Sequence, residues 1–227
     1  MVLSTCSVMA QEVPSHGEIT GTVVDDHGVP VSDADGCALP LGIPMAAAVP
    51  CGRTDSKGKF TVGHLRWATY HVYAKKEDEA YPDKSHSFYK TGEEQKLTLS
   101  ADHPKAEVRL LLGPKAGIVI GSVTNAETSD KVFDFTLELA WVSDPNRWIS
   151  KGTFPDFRLL VPSNVDLVFR CEMPGSVYEP WDYKRVTGSY LKLKPGEELK
   201  LDIKFHPRKI VPETNTKAQR PKLRVNK

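Results

Sequence analysis

The chain has 227 residues, 40% of them hydrophobic and 26% charged, which is room for one large domain or two modest ones. This composition excludes a wholly disordered chain, and no apolar run reaches the roughly 18 residues of a membrane-spanning helix. With 30 Lys and Arg against 29 Asp and Glu, the net charge of +1 lacks the basic surplus of a dedicated nucleic-acid binder.

In chain order, residues 1–16 come first. Val8 and Ala10 occupy the −3 and −1 positions of a signal-peptidase cut before Gln11, where small side chains fit the peptidase pocket. A charged n-region is missing and the apolar run is short. The expectation is a signal-peptide remnant and linker; a frayed apolar terminus is the alternative. A lipidation site at Cys6 is a weaker reading, because Thr5 is large for the preceding position.

From Gly17 onward the pattern has period two, bounded by Gly, Pro, Asn and Asp, which is the strand signature. Ile19, Gly21 and Val23 alternate with Thr20 and Thr22. Turns follow at Asp25-Asp26-His27-Gly28 and Asp55-Ser56-Lys57-Gly58. Tyr70, Val72 and Ala74 form one strand face, with Thr69, His71, Tyr73 and Lys75 on the other. Leu97, Leu99, Val108, Leu110 and Leu112 supply two more strands.

The same order recurs about 100 residues later. Gly117 and Gly121 repeat Gly17 and Gly21, and Phe157 repeats Phe60. Leu167 repeats Tyr70, Leu191 and Leu193 repeat Leu97 and Leu99, and Ile203-Lys204-Phe205 repeats Leu110-Leu111-Leu112. Phe133, Phe135, Leu137, Leu139 and Trp141 read as one long alternating strand. Short strands at this spacing predict an all-β protein of two tandem Greek-key β-sandwiches, 17–113 and 117–207. Gly113-Pro114-Lys115-Ala116 is a hinge too short to let them swing far apart.

Gly17-Glu18-Ile19-Thr20-Gly21-Thr22-Val23, then Asp25, Gly28, Pro30-Val31 and Ala34, resemble the opening of a carboxypeptidase regulatory-like module. Thr54 to Phe60 and Tyr70-His71-Val72-Tyr73-Ala74 resemble its middle. The resemblance implies an immunoglobulin-like or transthyretin-like seven-strand sandwich without catalysis, in secreted or envelope proteins. The second copy keeps the hydrophobic pattern but loses the Asp-x-x-Gly turn.

Candidate sites are few. Cys37 and Cys51 bracket a Pro- and Ala-rich stretch; in an oxidising compartment they would pair, and in a reducing one they would be two unrelated thiols. Cys171 aligns with Ala74 and is expected to be a buried, inert thiol. No HxH, HExxH or CxxC spacing occurs, so no metal ligand set or cofactor is expected. Asp25-Asp26 and Asp33-Ala34-Asp35-Gly36 read as turns better than as calcium loops. No GxSxG, Walker loop or GxGxxG supports an enzyme.

The aromatic residues are the functional lead. Trp148 falls at a turn, and Trp181 and Tyr183 follow a strand, with Trp67 and Tyr81 as first-copy equivalents. Exposed rings of this kind stack on sugars or anchor protein interfaces, and buried ones lid the sandwich ends. The leading reading is a non-enzymatic, secreted or envelope-associated binding or scaffold protein with a protein or cell-surface glycan partner. Carbohydrate binding through the five rings is the alternative, and an enzyme with a loop-assembled site is a distant third. The terminal stretch 208–227 holds seven basic residues and one acid, a net +6 that leaves −5 for the remainder. It reads as a flexible basic tail able to touch an anionic surface.

Overall fold

The computed structural model describes residues 16–42, 48–90, 94–152, 154–173, 175 and 178–208. The expected signal remnant, up to residue 15, and the basic tail beyond Arg208 lie outside the described residues.

Alternating apolar residues build two sheets and then two more. β1 (Gly17–Val24), β4 (Lys59–Leu65) and β7 (Lys105–Leu111) form the first, in the order β4-β1-β7. β2 (Asp35–Pro40), β3 (Cys51–Arg53), β5 (Thr69–Lys75) and β6 (Gln95–Thr98) form its partner, in the order β3-β2-β5-β6. Between them lies a core of Ile19, Val23, Phe60, Val62, Tyr70, Val72, Leu99 and Leu110.

The second sandwich repeats this plan. β8 (Gly117–Asn125), β11 (Asp156–Val161) and β14 (Glu198–Phe205) pair as β11-β8-β14. β9 (Thr136–Trp141), β10 (Trp148–Gly152), β12 (Leu167–Glu172) and β13 (Trp181–Asp182) pair as β10-β9-β12-β13. A five-residue helix, α1 (Tyr183–Thr187), follows β13. The chain is thus two tandem Greek-key β-sandwiches.

The internal repeat is visible in the register. Gly21 lies between Phe60 on β4 and Val108 on β7, and Gly121 lies between Phe157 on β11 and Leu201 on β14. Both positions need glycine for the same reason. A Cβ on Gly21 would stand 2.7 Å from the Phe60 ring and 2.4 Å from the Val108 carbonyl oxygen. On Gly121 it would stand 2.4 Å from the Phe157 ring. The aromatic ring fills the space over the bare backbone, so Gly and Phe are retained together.

One expectation is corrected. The strand predicted from Phe133 begins at Thr136, because Asp134 adopts φ 61° and breaks the alternation. Phe133 is left 56% exposed while Phe135 is buried. β5 also shows a feature that the alternation left open, the burial of its second face. Both faces are buried, with His71 and Tyr73 at 5% and 4% exposure. The chain between β5 and β6 folds back across that outer face, bringing Lys84, Lys90 and Glu94 beside His71 and Tyr73.

Candidate functional site

The five aromatic residues sit in four settings, with Trp181 and Tyr183 sharing one. Trp148 opens β10 after a turn in which the Arg147 N–H donates to the Asp144 carbonyl (2.9 Å), and its side chain is 61% exposed. Trp181 is half-buried, edge-on to Phe169 at 5.6 Å and to Tyr183 at 6.2 Å. Asp182 between them caps α1 by accepting from the Arg185 N–H (3.1 Å), and it also accepts from Arg170 Nε (2.9 Å). Trp67 is half-buried against the first core. Tyr81 is buried in that core, with the Lys115 ammonium 5.3 Å from its ring centre. The rings therefore form no shared stacking platform, and four of the five are engaged in packing.

The cysteines and acids have structural settings. Cys37 on β2 faces Cys51 on β3, and the two are joined in a disulfide. Cys171 is a fully buried free thiol, and burial pushes its pKa up. Asp25 and Asp55 each accept two backbone N–H bonds within their own turns. The bonds from Lys59 and Lys57 hold the Asp55 carboxyl below its usual range. Among the described residues no three His, Cys, Asp or Glu side chains gather as a metal set.

Sequence reasoning missed a more extensive arrangement, the junction of the two sandwiches. The connector between β5 and β6 carries Ser87-Phe88-Tyr89 as a single 3-10 turn. Phe88 and Tyr89 belong to the first sandwich in sequence, yet they pack into the core of the second with Val119, Leu137, Leu139 and Leu160. The Tyr89 hydroxyl donates to the Leu160 carbonyl (3.0 Å), which satisfies its one donor in a buried place.

Arg147 closes the junction from the other side. Its guanidinium donates to the Ser87 carbonyl from Nε (3.1 Å) and from Nη2 (2.9 Å), and it also reaches the Lys90 carbonyl. The same group lies 3.5 Å from the centre of the Trp141 ring. Trp141 in turn donates from Nε1 to the Phe88 carbonyl (3.0 Å). A planar five-donor fork suits this site, since it can bond several carbonyls and stack at once. Beside it, the Ala116 N–H donates to the Ala80 carbonyl (2.7 Å), tying the hinge to the same connector. The only sequence signal was two adjacent large aromatic residues inside a charged connector.

No protein-family model and no curated protein matches the chain. Among solved structures, it is similar to the shaft pilin SpaA from Lactobacillus rhamnosus GG, at 13% identity and a TM-score of 0.33, over 86% of this chain and 99% of that one. It is also similar to GBS52, the minor pilin of Streptococcus agalactiae, at 10% identity and 0.32, over 85% and 97%. A third likeness is to the Bacillus anthracis TIE protein, at 11% and 0.31; it covers 85% of this chain and 34% of that longer one. Likenesses at this level bring no function to this chain.

Proposed function

We propose that this chain is a non-catalytic scaffold, secreted or envelope-associated, whose two sandwiches act as one stiff unit and present loops and strand edges to a protein partner. One observation carries the reading. The Ser87–Lys90 segment of the first sandwich is inserted into the second and held there by Arg147, Trp141 and the Leu160 carbonyl. Independent binding modules joined by a linker need no such insertion, and a spacer of set geometry does. The Cys37–Cys51 disulfide supports export, because such bonds persist in oxidising compartments.

Residual dipolar couplings test this directly. Backbone amides of both sandwiches should fit one common alignment tensor in the full chain. Two different tensors would show independent tumbling and remove the basis of the reading.

A further inference from the structure

β4 breaks its own alternation at one place. Phe60 and Val62 are buried in the first core, and period two would send His64 after them. Across the β1–β4 ladder, Gly17 faces Leu65 and Ile19 faces Val62, so two steps on β1 meet three on β4. This bulge passes the core position on to Leu65 and leaves His64 exposed on the outside. His64 holds the bulge at φ 57°, a left-handed conformation that favours glycine, although Gly63 stands one place before it.

The turned-out imidazole meets a second one. The His64 ring lies 6.1 Å from the His16 ring, centre to centre, with the two planes at 69°. Both side chains are exposed, and the hollow they line also holds Glu18, Pro104 and Lys105. Glu18 and Lys105 pair with each other at 3.5 Å, so the surroundings add little net charge. A Zn²⁺ ion sits about 2.0–2.1 Å from an imidazole nitrogen, which places it about 3.2 Å from the ring centre. Two rings on one ion then have centres about 4.5–6.4 Å apart, as the angle at the metal opens from a right angle to a straight line. The separation of His16 and His64 falls inside that range.

We propose that His16 and His64 form a two-imidazole site for a divalent transition ion of the Zn²⁺, Ni²⁺ or Cu²⁺ kind. Imidazole nitrogen suits these ions, whereas Mg²⁺ and Ca²⁺ take oxygen ligands. Among the described residues no third protein donor gathers with the pair, so water completes the coordination shell. The bound ion clips the residue that precedes β1 to the bulge of β4, two places that adjacent sequence does not connect. The site stands apart from the scaffold reading and does not depend on it.

The test titrates the full chain with Ni²⁺ and, separately, with Mg²⁺, followed by backbone amide NMR signals. Substoichiometric Ni²⁺ should broaden Gly17, Gly63 and His64 before the amides around the exposed His27 and His86, and Mg²⁺ should leave all of them unchanged. His64→Gly should weaken Ni²⁺ binding at Gly17 and Gly63 by at least about tenfold, the loss that removing even an outer-shell partner brings. Glycine suits the φ of 57°, so this variant keeps the fold while removing the ligand. His16→Asn should weaken binding as much, and His27→Asn should leave it unchanged. No saturable effect at these amides, equal broadening around His27, or unaltered binding in His64→Gly or in His16→Asn overturns the proposal.

Discussion

Replacing Arg147 by Met should loosen the junction without touching either disulfide or core. The side chain keeps its stem but loses the guanidinium that bonds the Ser87 and Lys90 carbonyls and stacks on Trp141. A hydrogen bond from a charged group contributes about 1.5–3 kcal/mol, and an exposed cation–π contact about 0.5–1 kcal/mol. The full sum overstates the loss. Ser87 is exposed, so water replaces the guanidinium there, and the Phe88 carbonyl keeps its bond from Trp141. A loss of about 2–3 kcal/mol follows, roughly 30- to 150-fold in the docking equilibrium. Urea unfolding followed by tryptophan fluorescence measures the loss, and residual dipolar couplings report whether the common alignment tensor splits. Arg147→Lys should recover less than half, because one ammonium cannot reach both carbonyls and stack as well. A loss under about 0.5 kcal/mol with a single tensor retained refutes the reasoning, since that is the range of an ordinary surface substitution.

Three further outcomes are expected. Gly121→Ala should cost about 1–3 kcal/mol, because the new methyl meets the Phe157 ring and the Leu201 carbonyl; a thermal melt unchanged within error would contradict the close approach. Cys37→Ser with Cys51→Ser should lower stability by about 3 kcal/mol on the loop-entropy estimate for a separation of 14 residues, and mass mapping of unreduced peptides checks the bond itself. Asp83 governs part of the acid limb. Burial raises its pKa, but the Lys75 ammonium and the Ser85 N–H outweigh that and hold it at about 2. Its folded value is below the unfolded one, so its contribution is complete above about pH 4 and fades as pH falls toward 2. Urea titrations should show wild type losing more stability than Asp83→Asn across that window, and parallel curves would exclude the role.

Much of the fold was legible because strand burial writes itself as period two. The pairs Gly21–Phe60 and Gly121–Phe157 recur in the sequence in the same order, 39 and 36 residues apart, and meet across matching ladders. Phe133 shows the limit of the pattern, since a single positive φ at Asp134 ends an alternation that hydrophobicity alone continues. The burial of His71 and Tyr73 could not be read from β5, because the cover comes from a connector some ten residues further on. Phe88 and Tyr89 were hidden for a related reason. Periodicity reports which face of an element is buried, but not which of two cores receives a side chain carried on a loop. Of the aromatic residues singled out in the sequence, for which both stacking and end-lid roles were open, the structure spends all but Trp148 on local packing.

The parallel ladders have a mechanical consequence. In each sandwich the first strand lies parallel to the last, β1 beside β7 and β8 beside β14. Tension applied at Gly17 and Phe205 enters each unit at the start of its first strand and leaves at the end of its last. That geometry pulls the paired strands lengthwise past one another, so the hydrogen bonds from Glu18–Lys105 to Val24–Leu111 share the load at once. The longer ladder from Ile118–Glu198 to Asn125–Phe205 is loaded in the same way. A hairpin pulled from its open end would surrender its bonds singly, whereas these two units in series must each yield as a block.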